Sequence, residues 1–262
     1  MSAREAMETV TVLSTPCVLT DAPRLTRALT DHCVSNHRKA LSVDFTNVHI
    51  VALRTESEGF REATSNVDWF VSDSQVLSWA ISWLGGDNHE RVYGPAYLDY
   101  CIRHADAGLS HYFLGASQEC LERLLERLRE IRPELTIAGS RNGYFSAQDE
   151  GEILADINEK APDLLWVGLG TPKQQEWIGR MKDQLNVGAA LAVGFAFDVN
   201  AGTKKDAPSW LGRLGLIWLY RLAREPRRLW HRYAHYNSVF IRKLLMQVTD
   251  VTEGSDPRTL RS

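Results

Sequence analysis

The 262-residue sequence is poor in the patterns that ordinarily announce a metal, a phosphate loop or a membrane span. Its four cysteines, Cys17, Cys33, Cys101 and Cys120, form no Cys-x-x-Cys pair and have no histidine pattern beside them. That excludes the usual zinc arrangements, and reduced thiols are expected. His49, His89, His104 and His111 likewise lack the mutual spacing of metal ligands. Gly-x-Gly-x-x-Gly and the Walker phosphate-loop pattern are both missing, so ordinary dinucleotide and P-loop sites are not supported. No uninterrupted apolar run approaches the roughly eighteen residues that a spanning helix needs. The first ten residues carry Glu5 and Glu8 and no apolar stretch with a small-residue cleavage site, so no export is expected. A formal net charge of -3 argues against a surface built wholly for nucleic acid.

What is present is an alternation of short apolar runs with amphipathic stretches, the signature of βα repeats on a mostly parallel sheet. Strands are expected at Ala40 to Phe45, Trp69 to Ser72, Ser110 to Leu114, Leu135 to Ala138, Leu164 to Gly168 and Ala189 to Phe195. A helix is expected from Gln118 to Ile131, where Leu121, Leu124, Leu125 and Leu128 recur at helical spacing behind an N-cap at Ser117. A second helix is expected to start at Thr171 as N-cap, with Pro172 at the first helical position and Gln174 closing a capping box. The expected organisation is an α/β core over residues 1–202, a basic aromatic appendage over 203–250 and a frayed tail over 251–262. Within the appendage, Arg213, Arg221, Arg224, Arg227, Arg228, Arg232, Arg242 and Lys243 are interleaved with aromatic residues, and Glu225 is the only acid between Arg213 and Lys243.

In a parallel sheet, ligands bind at the carboxyl ends of the strands, where helix N-termini offer free N–H groups. That rule selects the segments around Thr46 and Asn47, around Asp73, after Gly115, after Gly170 and after Phe195. Asp73 follows its strand directly and suits a general base, although an aspartate at that point equally suits a helix cap. Asp198 is the competing carboxylate, and it too can serve merely to shape a turn. Gln174 can meet a sugar or phosphate oxygen or simply complete its capping box. Lys173 beside a helix start favours an anion. So many guanidinium groups with one acid call for an anionic partner, and diphosphate, anionic lipid and nucleic acid all satisfy them.

Taken in order, the blocks resemble the WecG/TagA/CpsF glycosyltransferases. The matching residues include Thr46-Asn47, Asp73 with the Gln75 to Trp79 stretch, Arg91-Val92-Tyr93-Gly94, Phe113-Leu114-Gly115, Gly143-Tyr144-Phe145, Gly168 through Gln174, Gly194 through Asp198, Ala201-Gly202-Thr203, and Trp218 through Leu222 followed by Glu225-Pro226. The series spans roughly residues 40 to 235. The resemblance implies a Rossmann-like α/β fold and inverting, metal-independent transfer of a hexose of the N-acetylmannosamine or glucose type. The donor would be a UDP-sugar and the acceptor a polyprenyl-diphosphate-linked saccharide of a bacterial surface polysaccharide. It places the catalytic base at Asp73 and puts Thr46, Asn47 and Gln174, with Lys173 beside them, at the pocket. Arg221 and Arg228 would lie at the donor diphosphate with Arg232 next to them. The absence of any Asp-x-Asp pair fits a diphosphate held by arginines rather than by a metal, and no cofactor is expected.

The implied location is the cytoplasmic face of the cell membrane, held peripherally through the appendage, without nucleic acid as a partner and with homo-oligomerisation left open. The sequence departs from the family at Gln175, where glutamate is common, at Asp206 and His231, where arginines are usual, and at Ile217, where glutamate is usual. The alternative reading is a non-catalytic nucleotide-binding module whose basic appendage grips anionic lipid or nucleic acid.

Overall fold

The computed structural model describes residues 7–35, 39–85 and 88–254. Eight strands form one sheet: β1 (Thr9–Val12), β2 (Thr15–Val18), β3 (Leu41–Thr46), β4 (Trp69–Ser72), β5 (Ser110–Gly115), β6 (Thr136–Arg141), β7 (Leu164–Gly168) and β8 (Ala189–Ala192). Their spatial order is β1-β2-β4-β3-β8-β7-β5-β6, parallel throughout except for the β1–β2 hairpin. The fold is therefore a mostly parallel α/β sheet, as the alternating pattern implied, and Rossmann-like, as the resemblance implied.

The central strands are buried on both faces, and the pleat sorts their side chains between two cores. Leu164 and Trp166 of β7, with Ala189 and Leu191 of β8, pack beneath α1 (Ala22–Ser35), α5 (Gly94–His104) and α6 (Gln118–Ile131). Leu165, Val167, Ala190 and Ala192 face the other way, under α7 (Glu150–Lys160) and α8 (Lys173–Met181). A third cluster joins the hairpin to α2 (Val48–Glu56), α4 (Gln75–Gly85) and the long C-terminal helix α12 (Pro226–Gly254). Asp73 and Ser74 form the exit of β4 directly before α4, and α3 (Glu58–Ala63) follows α2. The short α9 (Ala196–Asn200), α10 (Ser209–Arg213) and α11 (Ile217–Arg224) precede α12. Glu225 leaves helical geometry before Pro226, so the basic appendage is broken there.

Several expectations are refined by this arrangement. The β3, β5 and β6 strands extend to Thr46, Gly115 and Arg141, and the helix at Gln118–Ile131 has its Ser117 cap, whose hydroxyl accepts from Cys120 N–H. The strand expected to run to Phe195 stops at Ala192, because Gly194 takes φ 53 and turns the chain away from the sheet. Thr171 is not the cap of α8. The helix begins at Lys173, and the Gln174 side chain reaches back to Gly170 N–H, one residue earlier than a Thr171 box requires. The tail expected from residue 251 lies, from residue 255 on, outside the described residues.

Leu124 is fully buried between α6 and the sheet. Leu124→Ala is expected to destabilise the protein by about 2–5 kcal/mol in urea denaturation, the range for truncating a buried leucine that leaves a cavity.

Candidate active site

Every parallel strand ends on the same edge of the sheet, and the loops leaving β3, β4, β5, β7 and β8 together surround a cleft of about 400 Å³. Chain direction diverges near β3 and β8, the kind of crevice where open α/β sheets take ligands. At the ends of β5 and β7 the backbones come so close that a Cβ on Gly115 would lie 2.4 Å from the Gly168 carbonyl carbon. Only glycine fits there, and the close approach leaves the cleft floor as bare backbone.

Asp73 stands at the exit of β4. Its Oδ1 accepts from Gly94 N–H at 2.6 Å, the first residue of α5, while the hydroxyl of Ser74 faces Leu77 N–H at the start of α4. Capping α4 thus falls to Ser74, and the Asp73 carboxylate is left facing the cleft. Burial raises its pKa to about 6, offset by the Gly94 N–H, Arg91 and Arg221, while Asp44 adds to the rise. A carboxylate in that range is ionised in a useful fraction near neutrality and still basic enough to take a proton.

Asn47 caps α2 through Oδ1, which accepts from His49 N–H at 3.0 Å, so its amide nitrogen is the end that remains for a ligand. Gln174 is almost fully buried and has the same division, its Oε1 taken by Gly170 N–H at 3.1 Å. The cap and ligand readings of Gln174 are therefore compatible. Arg221 of α11 and Arg228 and Arg232 of α12, the last two one helical turn apart, close the cleft from the appendage side. Arg221 lies 4.2 Å over the Phe195 ring, which fixes its guanidinium where Gly194 has delivered that ring. Arg228 pairs with Glu225, the one acid of the basic stretch. Arg232 is half-buried with its Nε lacking any hydrogen-bond partner, a donor directed at whatever anion enters.

Thr46 and Lys173 do not line the cleft. Thr46 is fully buried, and its hydroxyl donates to Asp44, two residues back on the same face of β3. Lys173 is exposed, donating to Gly143 O at 3.2 Å and lying 4.2 Å over the Phe145 ring. Asp198 lines the cleft yet is engaged in its turn, with the Thr203 hydroxyl donating to it at 3.3 Å and the Lys204 ammonium forming an ion pair at 3.9 Å. The residues that sequence reasoning left without a role are Tyr93 and Phe195. The Tyr93 hydroxyl donates to Asp206 at 2.6 Å, and burial together with that carboxylate keeps the phenol protonated. Of the departures, Gln175 is buried and donates to Asp44 at 2.8 Å, Ile217 sits beside the site, and His231 is exposed while Arg232 turns inward.

A positively lined crevice at the carboxyl edge of a parallel sheet, with one poised carboxylate at its base, defines an α/β enzyme acting on an anionic ligand. The sequence pattern of the glycosyl transferase WecG/TagA/CpsF family matches residues 10–253, and the chain belongs to that family. It is a glycosyltransferase. An enzyme of Staphylococcus aureus strain MW2, the N-acetylglucosaminyldiphosphoundecaprenol N-acetyl-beta-D-mannosaminyltransferase, is 29% identical over 184 residues, covering 70% of this chain and 72% of its own length. Its counterparts in strains NCTC 8325 / PS 47 and MRSA252 match with the same identity and coverage. Among the described residues no helix is long and apolar enough to cross a membrane.

UDP is expected to raise the melting temperature, since a ligand bound only by the native state adds about 2.7 kcal/mol at a hundredfold excess over Kd. Arg232→Ala should weaken UDP affinity about tenfold or more, the loss of one charge-assisted contact, measured by titration calorimetry at fixed salt.

Proposed function

We propose that this glycosyltransferase moves a hexose, of the N-acetylmannosamine type in the first instance, from a UDP-sugar to a polyprenyl-diphosphate-linked saccharide, with inversion and without a metal. The observation that carries the reading is Asp73, whose Oδ1 is held by Gly94 N–H while Ser74 caps α4, so that the carboxylate lines a cleft that Arg221, Arg228 and Arg232 close. The staphylococcal relatives, N-acetylmannosaminyltransferases acting on N-acetylglucosaminyldiphosphoundecaprenol, support the acceptor class and the N-acetylmannosamine preference.

In this reading the donor diphosphate lies against the three arginines, with the uridine and sugar along the glycine-floored loops after β5 and β7. The Asp73 carboxylate takes the proton of an acceptor hydroxyl as that oxygen attacks the anomeric carbon. The new bond is carbon to acceptor oxygen. The bond that breaks joins the anomeric carbon to the β-phosphate oxygen, and its electron pair leaves with UDP. Fixed guanidinium groups stabilise that growing charge without reorganising. Attack opposite to the leaving group inverts the anomeric centre. The appendage packs over the cleft, which shields the donor from water. Acting on a lipid-linked acceptor, the protein works at the inner membrane surface as a peripheral protein.

The direct test is UDP release from a panel of UDP-sugars with a short-chain lipid-diphosphate saccharide and EDTA present. Acceptor-dependent release by the wild type and its loss in Asp73→Asn, by about a hundredfold or more, are expected for a general base. Release that needs an added divalent cation, or that survives in Asp73→Asn, overturns the reading.

The pH dependence has a definite sign. The base works as carboxylate, so kcat/KM should be at its plateau above the Asp73 pKa and fall as pH drops through about 6. Arg91→Ala removes a charge that favours ionisation, so it should move that midpoint to higher pH. A midpoint that does not move, or moves down, contradicts the assignment.

A further inference from the structure

The cleft is one of two cavities that meet at Asp73. The second has a volume of about 170 Å³, and Asn47, Asp73, Tyr93, Arg221 and Arg232 line both. Beyond those shared residues the walls differ in chemistry. The larger cavity is walled by backbone, Gln174, Lys204 and Arg228, the smaller by Val76, Ile217, Trp218, Tyr233, Phe240 and Ile241, with Arg91 as its one further cation.

The rim of the smaller cavity runs on into exposed apolar side chains. Trp79 and Trp83, one turn apart on α4, are 48% and 58% exposed, and Ile241 and Leu245, one turn apart on α12, are 56% and 53% exposed. Leu214, also exposed, precedes Gly215, which takes φ 70 and presses the turn between α10 and α11 against Trp79. A Cβ on Gly215 would lie 3.0 Å from that indole, so α4 and the turn form one continuous edge. Arg213 and Arg242 are exposed beside it. Water-facing tryptophan and leucine flanked by arginine is the composition of a surface seated at the headgroup boundary of a bilayer. A helix of a second protein chain, about 10 Å across, does not fit the cavity, whereas a single flexible hydrocarbon chain does.

We propose that the smaller cavity receives the first isoprene units of a membrane-embedded polyprenyl diphosphate, with the Trp79, Trp83 and Leu245 edge resting in the bilayer interface. Acceptor then reaches Asp73 from the apolar side and donor from the polar side. Arg91, which lines only the smaller cavity, is left for the acceptor diphosphate, while Arg232 on the shared wall serves the donor. The proposal rests on the reading of the protein as a transferase to a lipid-linked saccharide, and it assigns the anchoring contact to the α4 edge of the core together with one face of α12.

The test uses the full chain with extruded vesicles of phosphatidylcholine and phosphatidylglycerol at 3:1, in three forms: wild type, Trp83→Ser with Leu245→Ser, and Val76→Asp. Wild type is expected to sediment with the vesicles. The double variant should lose about tenfold or more in vesicle affinity, given the apolar area removed. It should keep its UDP-induced rise in Tm and its turnover of a water-soluble short-chain acceptor. Val76→Asp should still bind vesicles but show a raised KM for acceptors carrying several isoprene units, with kcat little changed. Equal vesicle binding by wild type and the double variant overturns the edge, as does a wild-type dimer in sedimentation velocity that the double variant splits. An unchanged KM in Val76→Asp overturns the cavity. Failure of every acceptor to support UDP release by wild type would sink the transferase reading alone, and the vesicle result would still decide the edge.

Discussion

One hydrogen bond, from Gly94 N–H to Asp73 Oδ1, sets the geometry on which the site depends. It ties the exit of β4 to the first turn of α5 and holds a carboxylate at the sheet edge in surroundings that resist its ionisation. Burial alone would leave the acid protonated near neutrality, and arginines alone would leave it too weak a base. Opposed, they hold its pKa at about 6, with Arg91 and Arg221 supplying charge from two different elements. The neighbouring carboxylate Asp44 is itself buried and raised to about 6, stabilised by Thr46 and Gln175, and it contributes to the balance from inside β3.

The appendage extends the same logic. Its arginines belong to helices α11 and α12, yet each is positioned by a partner elsewhere: Arg221 by the Phe195 ring, Arg228 by Glu225, Arg232 by its place between the two cavities. Arg221 and Arg228 repel Arg232, and the anion proposed for the cleft would relieve that repulsion. The apolar residues of the same helices, Trp218, Tyr233 and Phe240, build the other wall. One structural unit thus presents cations to the larger cavity and hydrocarbon to the smaller, the sides proposed for donor and acceptor.

The sheet was legible where burial on both faces produced continuous apolar runs, as in Trp69–Ser72 and Leu164–Gly168. The β1–β2 hairpin was not, because its turn is Leu13-Ser14 rather than a glycine-bearing pair, with Leu13 itself at φ 51. Family resemblance led to Asp73, Asn47, Gln174 and the arginines, which the fold brings to one cleft. It also selected Thr46, but that side chain shares a buried face of β3 with Asp44 and is bonded to that carboxylate rather than reaching the cleft. Lys173 lies outside the cleft, because α8 starts one residue later than the Thr171 cap implied and its side chain turns toward Gly143. Tyr93 and Phe195 lie in blocks that match the family but gave no hint of a role, since their contacts are with Asp206 and Arg221 more than twenty residues away. The two-cavity arrangement around Asp73 is a property of packing between α4, α11 and α12, and no spacing along the chain encodes it.

The measurement that bears most directly on the account is a crystal structure of the protein with an intact UDP-sugar. The account predicts the diphosphate against Arg221, Arg228 and Arg232 in the larger cavity, with the anomeric carbon facing Asp73 from the side opposite the β-phosphate. A diphosphate seated in the apolar cavity, or a sugar whose leaving phosphate lies between the anomeric carbon and Asp73, would contradict it.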